Sequence, residues 1–252
     1  MTEINFNKFY KLFNIVSILF ILASLLLLIF KGLNYGIDFK GGTLIELRIN
    51  NKNVKISDIR ASINKLKLGD VSVKQFGNTT DYLIKFEKKI DKSYPLEEIK
   101  KDIKKVIVDE LDFRRIENVG PKVSSELLKS SLVAISLSLA AMLIYVWIRF
   151  EWQFSLGAIL ALFHDVILTL GIFSLFSIEV NLSIVAAVLT IVGYSMNDTV
   201  VIYDRVRENL KKLPDIKIFE LTNISINETL SRTIITSATT LLALFSIFIF
   251  GG

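Results

Sequence analysis

Five long apolar runs and one alternating polar region divide the chain. The first run, residues 12–30, holds nineteen uncharged residues between two lysines. At about 1.5 Å per helical residue, this run is long enough to cross a hydrocarbon layer of about 30 Å. A cleavable secretory signal fits less well, because the run is too long and no small-residue cleavage site follows it. The pattern predicts five membrane-spanning helices, at residues 12–30, 128–148, 153–177, 180–203 and 232–250.

The polar region between the first two spans, residues 36–121, changes to the pattern of a small folded domain. Alternation of apolar and polar residues predicts four strands, at residues 43–50, 71–76, 82–86 and 113–119. Helical spacing predicts one helix over residues 57–67 with Ser57 as its cap, and a second that begins at Pro95. Gly77-Asn78 is the predicted turn between the second and third strands. The order βαββαβ is the ferredoxin-like arrangement.

The predicted fold class is therefore a membrane α-helical bundle of five spans with a small ferredoxin-like α+β domain. The N-terminal segment 1–11 and the predicted loop 204–231 between the fourth and fifth spans carry most of the basic residues outside that domain, whereas the short loop around residue 180 carries none. Lys and Arg accumulate on the cytoplasmic side of membrane proteins, so we expect the N-terminus in the cytoplasm and the α+β domain outside. The uncharged C-terminal stretch ends without a polar tail, and we expect a sixth span to follow Gly252.

Composition narrows the chemistry further. Hydrophobic residues make up 52% of the 252 positions, which is typical of membrane proteins. There are no cysteines and one histidine, so thiol chemistry is excluded and a histidine-based metal site or triad is disfavoured. The net charge is +5, but the basic residues are spread along the chain near acidic ones. The membrane topology therefore explains the excess of positive charge better than nucleic-acid binding does. No phosphate-binding loop is present. We expect no cofactor, no metal, no catalytic residues and no nucleic-acid partner.

Asp198 is the main candidate for function, because a carboxylate inside an apolar helix is expensive and usually has a role. A carboxyl balanced between burial and a neighbouring cation can take up and release a proton near neutral pH. The alternative is a buried acid that only holds helices together. Gly193 and Ser195 are small residues close by and predict close helix packing around this position.

Arg232 enters the fifth span from the same side of the membrane as Asp198 in the fourth, so it is the candidate counter-charge. An arginine at a helix end can instead extend to the membrane surface. Asp204 raises the alternative of an intramembrane aspartyl protease. It lies six residues from Asp198, so the two carboxylates point about 120° apart and cannot converge on one substrate.

His164 and Asp165 interrupt the third span, and Asn197 precedes Asp198 in the fourth. Adjacent helical residues point about 100° apart, so His164 and Asp165 cannot both face one partner. A proton relay and a satisfied structural pair both fit this pattern, and the sequence leaves the two open.

Several motifs in a fixed order resemble SecF, in the SecD/SecF protein-export family of the resistance-nodulation-division superfamily. They are GIDFKGG at 36–42, RFEW at 149–152, HD at 164–165, VGYSMNDTVV at 192–201, DRVREN at 204–209 and SINETLSRT at 225–233. The first motif carries Asp38-Phe39, as in SecF, whereas SecD typically has Asp-Leu there and a much larger outer domain. The motif residues at the entry to the domain are Gly36, Asp38, Phe39, Gly41 and Gly42.

The resemblance implies a protein-export subunit of the bacterial inner membrane that works with SecD beside the SecYEG channel, with YajC and YidC as further partners. It implies that Asp198 and Arg232 couple the proton motive force to the release of a translocating preprotein. It also implies six spans. Two alternatives are a half of a small-molecule or lipid exporter of the same superfamily, and a passive scaffold for SecD.

Overall fold

The structure is a computed structural model that describes residues 4–49, 55–66, 68–69, 71–76, 80–86, 95–107, 110–150 and 152–250. The chain divides into two compact units. One holds Met1–Leu33, Leu137–Ile178 and Ala186–Gly252, and the other holds Asn34–Ser136 and Glu179–Val185.

The elements follow one another in this order along the chain. A 3-10 turn at Phe6–Lys8 comes first. The helices are α1 (Tyr10–Phe30), α2 (Ile37–Lys40), α3 (Ile56–Asn64), α4 (Leu96–Val106), α5 (Pro121–Arg149), α6 (Trp152–Leu175), α7 (Leu182–Lys212) and α8 (Ile218–Phe250). The strands are β1 (Asn34–Tyr35), β2 (Gly42–Ile49), β3 (Val71–Gln75), β4 (Asp81–Phe86), β5 (Leu111–Val119) and β6 (Glu179–Val180).

Five of these helices, α1, α5, α6, α7 and α8, are long and apolar enough to cross a membrane, which confirms the predicted bundle of five spans. The predicted loop between the fourth and fifth spans, residues 204–231, is largely helical, because α7 runs on to Lys212 and α8 begins at Ile218. The charged residues of this segment support the helix through ion pairs one turn apart. Glu208 pairs with both Arg205 and Lys212.

The four strands β2 to β5 form one antiparallel sheet in the order β3-β4-β2-β5, which confirms the ferredoxin-like arrangement. Its core joins the inward side of the sheet to α3 and α4. Ile45, Ile59, Ile84 and Ile99 are all fully buried there. Buried residues recur at every second position on the strands, as at Ile45 and Leu47, and at every third or fourth position on the helices. This is the spacing that the sequence predicts.

Some details of this domain differ from the prediction. Lys55, not Ser57, is the residue that precedes α3, and the Ser57 hydroxyl instead donates to the Asp58 carboxylate at 3.2 Å. Strand β5 begins two residues earlier than expected, at Leu111. The predicted turn at Gly77-Asn78 lies outside the described residues.

A second, two-stranded sheet, in which β1 and β6 run parallel, was not predicted. The Gly36 amide extends this pairing by donating to the Val180 carbonyl at 2.9 Å. The chain that follows α1 is thereby joined to the segment between α6 and α7.

Helices α1 and α6 pack closely in the membrane unit. A Cβ atom added at Gly171 would lie 2.9 Å from the Ser24 Cα, and it would overlap the Ser24 side chain. Small residues at such a crossing let helix backbones approach each other in a membrane. Helices α5, α6 and α7 share a second apolar cluster that includes Val146, Leu162 and Met196.

The N-terminal segment packs against the start of α8. The Asn227 amide group pairs with both main-chain groups of Ile4 at 2.9 Å, and Asn223 accepts from the Phe6 amide at 2.8 Å.

Candidate functional site

Asp198 lies inside α7 and is half-buried. Among the residues that the structure describes, its side chain has no ion pair or hydrogen-bond partner. Arg232 near the middle of α8 is exposed, and within the same described part of the chain it also has no ion-pair partner. The structure therefore does not join the predicted proton site and its predicted counter-charge in an ion pair.

Two sides of α7 differ sharply around Asp198. Val192 and Met196 are buried against α5 and α6. Tyr194, one turn before Asp198, is 52% exposed, and a Cβ added at Gly193 would have nothing within 4 Å. No other described part of this chain packs against Gly193, which faces away from the buried side of α7. Packing of another helix at Gly193 stays a prediction.

Asn197 and Arg232 line the same open cavity of about 540 Å³. Its lining is polar at one end, where Arg149 and Asp204 form an ion pair at 3.2 Å. Asn197 of α7 and Arg232 of α8 thus line one cavity that is wide enough for water, whereas Asp198 is not among its lining residues. Such a cavity can hydrate charged groups that would otherwise face lipid.

His164 and Asp165 form the centre of a chain of hydrogen bonds across three helices. The His164 Nε2 lies 2.5 Å from the Ser17 Oγ on α1, and its Nδ1 lies 2.8 Å from the Asp165 Oδ1. The Ser195 hydroxyl on α7 donates to the Asp165 Oδ2 at 2.6 Å. As predicted from their angle, the two side chains face different partners.

Ser195 therefore makes a specific hydrogen bond to another helix, beyond the packing role predicted for it. It lies one turn from Asp198 on the same helix, and its hydroxyl holds that part of α7 to α6. Ser17 was missed entirely, since a single serine in an apolar run carries no signal of its partner. Only its polarity within a lipid-compatible helix could have drawn attention to it.

A cluster of charged residues joins α7 to α8 beyond their apolar stretches. Arg205 donates to Glu228 and to Glu208, each at 2.6 Å. Asn209, which is 3% exposed, donates to Glu228 at 2.7 Å and to the buried Ser225 at 3.0 Å. The Arg205 hydrogen bond, aided by Asn209, lowers the pKa of Glu228. This cluster fixes the ends of the two helices that carry Asp198 and Arg232.

The family-motif residues 36–42 lie in the other unit, where the α+β domain meets helix ends. The Asp38 carboxylate accepts a hydrogen bond at 3.0 Å from the main-chain amide of Leu182, which is the first residue of α7. A carboxylate is favourable at a helix N-terminus, where main-chain amides lack partners. Ile37 and Phe39 are buried on either side of it.

Gly41 and Gly42 both have positive φ angles, of 79° and 124°, which other residues rarely adopt. A Cβ at Gly41 would also lie 3.2 Å from the Val119 carbonyl oxygen and 3.3 Å from the Ser124 Oγ at the start of α5. The two glycines therefore let the chain turn sharply between α2 and β2 beside α5.

The described residues contain no cluster of three or more His, Asp or Glu side chains that could hold a metal ion.

Comparisons with known proteins match nearly the whole chain. The family described as "Protein export membrane protein SecD/SecF, C-terminal" matches residues 98–252, and the "SecD/SecF GG Motif" matches residues 26–51. A protein translocase subunit SecF of Calditerrivibrio nitroreducens is 48% identical over 100% of this chain and 84% of its own length. The SecF of Rickettsia bellii is 42% identical over 99% of this chain and 83% of its own.

Among solved structures, SecDF of Thermus thermophilus, described as a translocon-associated membrane protein, matches 99% of this chain with a TM-score of 0.88 and 33% identity. A SecDF structure in a super-membrane-facing form matches with a TM-score of 0.70. The present chain spans 34%, about a third, of the SecDF chain. On these matches, the chain belongs to the SecF family of protein-export membrane proteins.

Proposed function

We propose that this chain is the SecF subunit of a SecDF complex that uses the proton motive force to promote protein export. On this proposal it is a transport subunit and not an enzyme. The SecF names of its relatives and the match of 99% of this chain to SecDF support the assignment to protein export. The alternative of a small-molecule or lipid exporter has no such support.

One observation carries the proton-coupling part of the proposal. Asp198 is a half-buried acid in a span, without an ion-pair partner among the described residues, on a helix side that this chain leaves open. A charged group in that position is costly unless water or a partner helix meets it. We assign the partner helix to SecD and the water to the cavity beside Asn197 and Arg232.

The mechanism follows from the charge change at Asp198. When Asp198 is ionised, it attracts Arg232 or another cation. When it is protonated, that attraction is lost and the helices repack. Moving one charge across 100 mV supplies ~2.3 kcal/mol, which shifts a two-state equilibrium by about fiftyfold. That shift is enough for one proton to drive a change of conformation that moves the α+β domain.

Location and further partners belong to the same proposal. The chain lies in the bacterial inner membrane with its N-terminus in the cytoplasm and its α+β domain outside, as the distribution of basic residues indicates. It assembles with SecD and acts beside SecYEG, with YajC and YidC as further partners. Its client is the translocating preprotein as it emerges outside.

A pair of neighbouring aspartates on α7 allows a matched test. Asp198→Asn and Asp204→Asn each remove one carboxylate from the same helix, but Asp204 lies outside the apolar stretch in an exposed ion pair with Arg149. In a full SecDF complex, we expect Asp198→Asn to abolish export that depends on the proton motive force, while SecD still co-purifies. Asp204→Asn should leave export near the wild-type level.

Other outcomes would favour the two alternatives. If Asp198→Asn assembled with SecD and exported normally, the chain would act as a passive scaffold. If a small molecule or lipid stimulated proton flux without any export defect, the exporter interpretation would stand. Arg232→Lys keeps the charge and should impair export less than Arg232→Ala does.

A further inference from the structure

Glu179, on strand β6, is not part of the proton site and contacts two other segments of its own unit. One oxygen of its carboxylate, Oε2, accepts from Lys85 on β4 of the α+β domain. The other, Oε1, lies 2.6 Å from where a Cβ would be at Gly36. The side chains of Lys85 and Glu179 are only 16% and 21% exposed. One carboxylate therefore contacts both the sheet and the family motif.

The same segment is attached to the start of α7. Val180, next to Glu179, accepts from the Gly36 amide, and Asp38 of the motif accepts from the Leu182 amide. Helix α7 then continues without a break to residue 198 and beyond. The segment that leads into the helix of the proton site is thus held to the sheet by Lys85, and the first residue of that helix is held to the motif by Asp38.

The contact with Gly36 explains why this position lacks a side chain. Its φ angle of −75° is ordinary for any residue, so backbone freedom is not the reason. The space that a Cβ would take is filled by the Glu179 carboxylate. A methyl group there would displace the end of a flexible side chain and separate it from Lys85 without forcing the backbone to move.

We infer that the Lys85–Glu179 ion pair over Gly36 is the coupling element that transmits motion of α7 to the α+β domain. This inference rests on the proposed function and gives it a mechanical link. Lys85, Glu179 and Gly36 act as positioning residues: they are not part of the proton site, and they keep the domain attached to the segment that leads into α7.

The test uses full SecDF complexes in proteoliposomes, where proton flux and export are measured separately. Glu179→Gln keeps the shape of the side chain and removes its charge. We expect it to assemble with SecD and to retain proton flux. Export per proton should fall at least about fivefold, the lower end of coupling between two sites. Lys85→Gln and Gly36→Ala should have the same effect, since each breaks the same pair.

Two further variants separate coupling from mere stability. The exchange Lys85→Glu with Glu179→Lys should restore export, because it re-forms the pair with reversed charges. Gly36→Ala added to Glu179→Gln should cause no further loss. Arg48→Met is the matched control: it breaks the Arg48–Asp81 pair, which joins two strands of the same sheet without touching β6. It should leave export per proton unchanged.

The outcomes distinguish this inference from the proposed function. Normal export in Glu179→Gln, failure of the charge exchange to restore export, or an equal loss in Arg48→Met would each overturn the coupling role. A parallel loss of proton flux and export in Glu179→Gln would also overturn it, because the pair would then support the proton site itself. Failure of the proposed function would show instead as intact proton flux in Asp198→Asn.

Discussion

The Asp165–Ser195 hydrogen bond offers a quantitative test of how α7 is held beside α6. Asp165→Leu removes the acceptor and Ser195→Ala removes the donor. The oxygen–oxygen distance of 2.6 Å is in the range of hydrogen bonds to an ionised carboxylate. In a double-mutant cycle, the free energy of unfolding of the two single variants and the double variant isolates the energy of this one contact.

The expected coupling energy follows from the surroundings of the bond. Hydrogen bonds between helices of membrane proteins average ~0.6 kcal/mol and reach ~1.7 kcal/mol in such cycles. The Asp165 side chain is 38% exposed, which weakens the bond, but its short length places it in the upper part of the range. We therefore expect a coupling of about 1 kcal/mol.

The measurement is reversible unfolding of the purified SecDF complex in mixed micelles. Thr190→Val serves as the control partner for Asp165→Leu, because the Thr190 hydroxyl bonds to its own helix at the Ala186 carbonyl. That control cycle should be additive within about 0.3–0.5 kcal/mol. If the Asp165–Ser195 coupling were no larger than the control, the hydrogen-bond chain would not hold α7 in place.

Three further predictions address other contacts. Gly171→Val forces the α1 and α6 backbones apart and should lower the free energy of unfolding, measured by the same reversible unfolding, by about 1–3 kcal/mol. Arg205 lowers the pKa of Glu228, so the ionised Glu228 carboxylate stabilises the fold above its unfolded pKa of about 4.3. This stabilisation is lost as the pH falls through the folded pKa, and Glu228→Gln should flatten that part of the pH–stability profile. Asn227→Ala removes both hydrogen bonds to the N-terminal main chain, so amide hydrogen exchange there should speed up while the core of the α+β domain is unaffected.

The two periodicities in the sequence predicted most of the fold. Long apolar runs, two of them interrupted by His164-Asp165 and by Asp198, identified the five spans, and alternation identified the sheet with its order of helices and strands. The helical continuation of residues 204–231 was not predicted, because the charged residues there were used only to assign topology. The spacing of Arg205, Glu208 and Lys212 by three and four residues is the helical signal that was present there.

The candidate site was less accessible to sequence reasoning. The position of Asp198 in an apolar helix was visible, but the partners of polar groups across helices were not. Ser17 meets His164 over 147 positions, and Lys85 meets Glu179 over 94. Strands β1 and β6 have two residues each, too few for any periodicity to appear. Such contacts depend on how distant segments pack, which local patterns do not encode.

The most direct test of the central claim is proton flux through the SecDF complex in sealed vesicles under an imposed pH gradient and membrane potential. We expect Asp198→Asn to reduce this flux to the level of empty vesicles, while Asp204→Asn conducts like the wild type. Flux in Asp198→Asn equal to that of the wild type would contradict the assignment of Asp198 as the proton-coupling residue.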